Sequence, residues 1–278
     1  MSQINSLSDI TNNGLCIGCG ICQSLVGTDK ISISMSEKGR LEPKAIKPLS
    51  NLEFEKIKKT CPGVIVEGLP QTEVNNNSKH DLIWGYYNSL FYAWSTDKDI
   101  RFQSSTGGLL NGLSLYLLET NKIDFVLHTA GDPDNPMRSL PKFSYTKKDL
   151  LNCESRSRYG PASPLSRFNE ALDTNKKFVF VGKPCDISAI RQLSKIDERV
   201  NKQCLYLLTL VCGGSTEFTK SQDFINSFNV KEEELDIFRY RGLSLIHISE
   251  PTRPERISCG GVCVKKKRGG GGGGGGGG

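Results

Sequence analysis

Cys16-Ile17-Gly18-Cys19-Gly20-Ile21-Cys22, followed far along the chain by Cys61-Pro62-Gly63, is the stretch that decides the reading of this protein. Three thiols within seven residues, joined by a remote Cys before Pro, have the ligand spacing that holds a 4Fe-4S cube. Small residues at 18 and 20 let the backbone approach such a cluster, so that its N–H groups point at the sulfides. Four cysteines also suit a structural zinc site or, in a secreted chain, disulfides. Zinc ribbons pair two separate CxxC knuckles, whereas here three ligands are packed together and the partner is a single Cys-Pro. The cluster is therefore the preferred reading. Residues 1–15 contain Asp9, Thr11, Asn12 and Asn13 and lack an apolar signal-peptide core. A reducing, cytoplasmic setting is expected.

The C-terminal end calls for a separate reading before composition is used. From Leu243 the chain runs LSLIHISEPTR, which matches a translated transposase sequencing adapter, then Lys265, Lys266, Lys267 and Arg268 into glycine through Gly278. An A-run passing into a G-run encodes that lysine-to-glycine switch. Residues 243–278 are expected to be adapter read-through, with the natural chain continuing differently after Gly242. A flexible Gly-rich linker is the alternative, but it leaves the preceding residues unexplained. Of 36 basic and 30 acidic residues in all, six and two fall in this tail. The first 242 residues thus carry 30 against 28, a net of +2 rather than +6. No basic stripe with interleaved aromatics is left to support nucleic-acid binding. No apolar run reaches the ~18 residues of a membrane span.

Three units are predicted from the remaining pattern. Residues 1–70 form a small ferredoxin-like 4Fe-4S domain, in which Ile31–Met35 alternates as a strand, 37–40 turn, and Leu41–Ile46 returns. Asn51 is placed to cap a short helix leading to Cys61. Residues 71–80 are a polar linker with three consecutive asparagines. Residues 81–242 read as a larger α/β sheet domain, with strands at 90–94, 123–129, 178–181 and 205–211. Helices are expected at 109–118, with an apolar stripe of Leu110, Leu113, Leu117 and Leu118, and at 186–193 and 217–228. The fold class is mixed, α+β for the first unit and α/β for the second.

Four loops stand where strands hand over to helices, the edge at which open α/β sheets gather ligands. Ser104-Ser105-Thr106-Gly107-Gly108 opens a helix and offers hydroxyls and bare N–H groups to a phosphate or a ring edge; simple capping explains it too. Arg156-Ser157-Arg158-Tyr159 suits a planar anion or a charged surface turn. Gly182-Lys183-Pro184-Cys185 ends a buried strand, with Cys185 either a ligand or an inert thiol. Val211-Cys212-Gly213-Gly214 ends another, so Cys185 and Cys212 could be brought together at matching strand ends. Cys153 and Cys204 read as incidental thiols, and His80 and His128 as structural. Nucleophilic triads, paired glycosidase carboxylates, a Walker lysine and GxGxxG are all missing from the sequence. With a cluster motif and no proton-transfer constellation, the chain points to electron movement.

The ordered set CIGCGIC, CPG, SSTGG, SRYGP, VGKPCD with AIRQL behind it, and VCGG resembles the coenzyme F420 hydrogenase/dehydrogenase beta-subunit family over roughly residues 14–242. The resemblance implies an oxidoreductase, an iron-sulfur flavoprotein in which electrons pass between a ferredoxin or partner subunit and an organic hydride-accepting substrate. It implies FAD, with Ser104, Ser105, Thr106, Gly107, Gly108, Arg158 and Tyr159 lining the flavin or substrate pocket and Gly182, Lys183 and Pro184 beside it. Coenzyme F420 is a further implied cofactor. Cys16, Cys19, Cys22 and Cys61 would hold one 4Fe-4S cluster, and Cys185 and Cys212 would contribute to a second whose other ligands lie downstream. A non-catalytic electron-transfer subunit of a larger redox complex is the alternative. The expected partners are a redox protein and a small molecule, with no nucleic acid and no membrane span.

Overall fold

The computed structural model describes residues 4–68, 71–151, 158–240 and 263–266. Helices α1 (Leu7–Asn12) and α2 (Ile21–Val26) begin the N-terminal unit, followed by strands β1 (Ile31–Met35) and β2 (Leu41–Ala45) and helix α3 (Asn51–Thr60). The hairpin is antiparallel with Ile31 opposite Ala45 and Met35 opposite Leu41, as the alternation predicts. The helix before Cys61 also forms, but its cap is Ser50 rather than Asn51. Ser50 accepts from the Glu53 N–H and Glu53 reaches back to the Ser50 N–H, a capping box that a Ser-x-x-Glu pattern signals. Leu7, Ile10, Cys22, Ile31 and Ile57 form a core between these elements.

A short antiparallel pair, β3 (Lys79–Asp81) and β4 (Gly85–Tyr87), follows the polar stretch. Residues 90–94, expected as a strand, join no sheet among the described residues. Leu90, Phe91 and Tyr92 stand in solvent at 90%, 81% and 102% exposure. Aromatic and apolar composition gives strand propensity, but a strand exists only where a neighbouring edge completes its ladder.

The larger unit continues with α4 (Lys98–Gln103), α5 (Leu109–Glu119), β5 (Phe125–Gly131), β6 (Ser139–Ser144), α6 (Lys147–Leu151), α7 (Phe168–Asp173), β7 (Phe178–Gly182), α8 (Pro184–Leu193), α9 (Glu198–Gln203), β8 (Cys204–Thr209), α10 (Phe218–Asn226) and β9 (Leu235–Arg239), which pairs with β10 (Cys263–Lys266). Four of these strands make one mixed sheet in the order β6-β5-β7-β8. β5, β7 and β8 run parallel, and β6 closes one edge antiparallel to β5. This mixed α/β sheet agrees with the sequence expectation, to which it adds β6. Phe125, Phe178 and Phe180 are fully buried on its strands with Phe168 of α7 packed against the last two, and the Phe125 and Phe178 rings stack at 5.0 Å. Such residues each contribute about 3–5 kcal/mol when measured by truncation to alanine. In α5 the buried positions are Ser114, Leu115 and Leu117, while Leu113 of the expected stripe is exposed. The helix is apolar nearly all round, so periodicity gives no unique face.

The N-terminal unit is joined to this sheet through its cysteine loop. Cys19 and Ile21 belong to the same core as Phe125, Leu165, Phe168, Phe180, Ala189 and Ile190. The turn Pro164–Arg167 receives the loop: the Ser163 hydroxyl donates to the Gly18 carbonyl at 2.6 Å and the Leu165 N–H to the Cys19 carbonyl at 2.9 Å. The Asn169 N–H donates to the Ser24 hydroxyl at 2.7 Å. Farther out, Arg40 pairs with Glu217 at 2.6 Å and Lys195 with Glu67.

His128 is structural, as its isolation in the sequence suggests. It is buried on β5, with Nδ1 donating to the Thr129 carbonyl at 3.1 Å and Nε2 accepting from the Ser144 hydroxyl at 2.8 Å. Burial holds its pKa down from 6.5 to about 4. The unfolded chain therefore takes up a proton below about 6.5 that the folded protein refuses until about 4. The corresponding stability is fully present above pH 6.5 and is lost as pH falls towards 4. His128→Gln is expected to remove about 2 kcal/mol of the wild-type loss between pH 7 and pH 5, read from urea midpoints at the two values. An unchanged slope would contradict this assignment.

Candidate functional site

The cysteine loop takes its shape from two glycines. Gly18 and Gly20 lie at φ +71° and +84°, in the left-handed region that L side chains rarely adopt. Gly20 is the N-cap of α2, so Cys22 enters that helix while Cys19 turns back into the core. Cys61 closes the opposite side as the residue after α3, its N–H bonded to the Ile57 carbonyl at 2.8 Å. The result is a pocket lined by all four thiol-bearing residues, Cys16, Cys19, Cys22 and Cys61, with Leu7, Ile10, Ile33 and Ile57 among its apolar walls.

Electrostatics of the pocket follow from burial. Desolvation pushes the Cys16, Cys19 and Cys61 thiols up and takes Cys22 to about 12, where repulsion from Cys16 and Cys61 adds to it. Backbone N–H groups work in the other direction at every position. Gly18 bonds the Cys16 sulfur at 3.4 Å, while Ile21, Gln23 and Gly63 act on Cys19, Cys22 and Cys61. The donor set is thus four thiols, each with a backbone donor available to stabilise a thiolate, in an apolar pocket. Among the described residues, no group of three His, Cys, Asp or Glu side chains is placed to hold a single metal ion.

The loops of the sheet are placed as follows. Ser104 follows α4 and its hydroxyl accepts from Asn111 at 2.8 Å; Thr106, Gly107 and Gly108 then take consecutive positive φ values of +55°, +65° and +73°. A β-branched residue held there stores about 1–3 kcal/mol of strain, a feature that clusters at ligand loops. Ser105 precedes this turn without a capping side-chain bond, so capping does not account for it. Arg158 is spent on structure: its guanidinium donates to Ser139 Oγ and to the carbonyls of Phe238, Pro136 and Arg138, and it lies over the Tyr240 ring. Four of its five N–H donors are thereby engaged. Tyr159 keeps an exposed ring beside it. Arg156, Ser157 and Cys153 lie outside the described residues.

Cys185 and Cys212 leave the same edge of the sheet. β7 and β8 are parallel neighbours with Gly182 opposite Thr209, and each cysteine stands three residues beyond its member of that pair. Burial raises the Cys185 thiol, and Cys212 is among the smaller causes that add to it. Next to Cys185 on α8 is Asp186, fully buried, which the sequence alone does not single out. Its signal is an acidic residue at the third position of a helix, which reads as an ordinary cap. Cys204 is buried in the core and bonded only weakly, to the Tyr206 carbonyl at 3.9 Å.

Two family models match the chain. The one described as "Coenzyme F420 hydrogenase/dehydrogenase, beta subunit N-term" fits residues 90–168, and its counterpart for the C terminus of the same beta subunit fits 175–262, past Gly242. Together they take in more than half of the chain. The F420-dependent formate dehydrogenase subunit beta of Methanocaldococcus jannaschii is 27% identical over 148 residues, covering 51% of this chain and 38% of the relative. Coenzyme F420 hydrogenase subunit beta of Methanococcus voltae is 30% identical over 114 residues, 40% of each chain. A coenzyme F420-dependent sulfite reductase of M. jannaschii is 23% identical over 259 residues, covering 87% of this chain and 38% of its own. The chain therefore spans about two fifths of the length of these relatives.

Proposed function

Because the chain belongs to the coenzyme F420 hydrogenase/dehydrogenase beta-subunit family, we propose that it is an iron-sulfur flavoprotein of oxidoreductase type. In this reading it passes electrons between a ferredoxin or partner redox subunit and an organic hydride-accepting substrate. The observation that carries the reading is the shared pocket of Cys16, Cys19, Cys22 and Cys61. In a 4Fe-4S cube each thiolate binds a different iron, and a pocket lined by four thiols offers the four ligands that such a cube needs. The N-terminal unit, residues 1–70, is proposed as the ferredoxin-type cluster domain and residues 81–242 as the flavin domain, with 71–80 the polar linker between them. Residues 243–278 are proposed to be adapter-derived, which their coding DNA would decide.

A bound cluster would supply one-electron transfer, and a flavin would interconvert that with two-electron hydride chemistry. The chain's own residues would do the rest. Cys16, Cys19, Cys22 and Cys61 would hold the iron, with Gly18, Ile21, Gln23 and Gly63 offering N–H groups to the thiolates. Ser104 to Gly108, Tyr159 and Gly182 to Pro184 would line the FAD or substrate pocket, Arg158 acting by fastening the loop that carries Tyr159. Cys185 and Cys212 would contribute to a second cluster, and coenzyme F420 is the proposed organic acceptor in keeping with the names of the relatives.

One observation favours the alternative of an electron-transfer subunit without its own catalysis. Leu82, Ile83, Trp84, Leu90, Phe91 and Tyr92 expose a run of large apolar side chains, the kind of surface by which subunits associate. Among the described residues no helix is long and apolar enough to cross a membrane. The two readings separate in one assay: chemically reduced ferredoxin is mixed anaerobically with the full chain and coenzyme F420, and bleaching of the deazaflavin is followed. Turnover with bound flavin supports the enzyme. Electron uptake without flavin or turnover supports the bridging subunit, and no electron uptake contradicts both.

A further inference from the structure

Resting on the cluster reading above, we propose that the buried carboxylate of Asp186 sets the reduction potential of the centre held by the N-terminal cysteines. Asp186 is fully buried at the start of α8. Its Oδ2 accepts from the Lys183 N–H at 3.0 Å and pairs with Lys183 Nζ at 3.0 Å, while its Oδ1, equally buried, has no hydrogen-bond partner. Capping this helix needs one acceptor oxygen, which Ser or Asn would provide without a charge. A carboxylate buried with half of its acceptor capacity empty is costly, even when one cation partly offsets it. Such groups persist mainly where their charge has a use.

The position of Asp186 supplies that use. The buried face of α8 carries Asp186, Ala189, Ile190 and Leu193, and Ala189, Ile190 and Leu193 pack into the core that contains Cys19. α8 also lies against α3, whose last turn leads into Cys61. Desolvation raises the Cys19 and Cys185 thiols, and the charge of Asp186 adds to it at both. The Lys183 ammonium, 25% exposed and 3.0 Å from Oδ2, offsets part of that charge. Reduction adds an electron to a cluster. A fixed negative charge beside one of its ligands, in a low-dielectric core, disfavours that electron and lowers the potential. Asp186 would therefore lower the potential of the N-terminal site.

The test uses the full chain, reconstituted anaerobically with iron and sulfide. Iron per chain and the electron paramagnetic resonance spectrum of the reduced protein are recorded first, and the midpoint potential is then read by mediated titration. Asp186→Asn retains an acceptor for the Lys183 N–H and removes the charge. It is expected to load with the same iron and raise the equilibrium constant for one-electron reduction about tenfold, ~59 mV. Asp186→Glu keeps the charge and should stay near wild type. Where Asn is not accommodated, Asp186→Ser removes the charge with a smaller side chain. A loaded, spectroscopically normal neutral variant with unchanged potential overturns the inference and leaves the cluster reading intact. Wild-type protein that takes up no iron and sulfide overturns the cluster reading itself, and this inference with it.

Discussion

Cys19→Ala is expected to lower the iron of the anaerobically reconstituted protein from about four per chain to about three or fewer. Among the four thiols Cys19 is the least exposed, at 5%, and it faces both the cysteine pocket and the sheet core. Three remaining thiolates would leave one iron open to solvent, and such sites lose iron readily. The fold itself should survive. Removing one sulfur leaves a small cavity, and the loop is still held by the Ser163 and Leu165 hydrogen bonds to backbone carbonyls. A destabilisation of about 1–2 kcal/mol is expected, or a few degrees in Tm. Ferredoxin-linked reduction should disappear while flavin binding persists. Full linked activity in this variant would refute a relay through the N-terminal site.

Gly20→Ala is expected to have the largest effect on the fold itself. At φ +84° an alanine costs about 1–2 kcal/mol from backbone sterics alone. Its Cβ would lie 2.8 Å from the Ser166 nitrogen and 3.0 Å from the Ser166 Cα, a collision with backbone rather than with a side chain that can turn away. Relief requires the cysteine loop to withdraw from the Pro164–Arg167 turn, which strains the Ser163 to Gly18 and Leu165 to Cys19 hydrogen bonds. The combined loss is about 3 kcal/mol or more, and the expected fall in Tm is about 6–12 °C. Ser163→Ala, which removes one bond of that seam, should cost nearer ~1–2 kcal/mol. A Gly20→Ala melt close to that of wild type would mean that the seam is not built as described. The two glycines between the cysteines thus serve different ends. The sequence motif explains them by approach to a cluster, and the structure adds that Gly20 is needed where the loop meets the Pro164–Arg167 turn.

Legibility from sequence differs by element for physical reasons. The β1–β2 hairpin is legible because Ile31 to Met35 alternates strictly and a Gly-containing turn follows. β7 and β8 are legible as short apolar runs ending in Gly-rich loops. β6 escapes notice because Ser139 to Ser144 is short and carries Pro141 and Lys142. Proline is tolerated there since β6 is an edge strand, a fact that belongs to the sheet and not to the segment. Residues 90–94 fail the other way, since aromatic composition promises a strand that finds no partner among the described residues.

The candidate site shows the same division. Spacing alone assembles the four cysteines, because local loop geometry and a helix leading to Cys61 bring them together. The match of Cys185 to Cys212 follows from equal offsets beyond paired strand ends. What spacing cannot reveal are contacts made across the chain. Ser163 meets Gly18 from 145 residues away. Arg158, in sequence a free guanidinium for an anion, is consumed by carbonyls contributed by β9 and the segment before β6. Asp186 looks like the acidic member of a capping box and is one, but its complete burial emerges only in three dimensions.

Iron, acid-labile sulfide and flavin content of the full chain after anaerobic reconstitution tests the central claim most directly. About four irons and four sulfides per chain together with bound flavin is the predicted result. A single zinc ion per chain with neither sulfide nor flavin would contradict it.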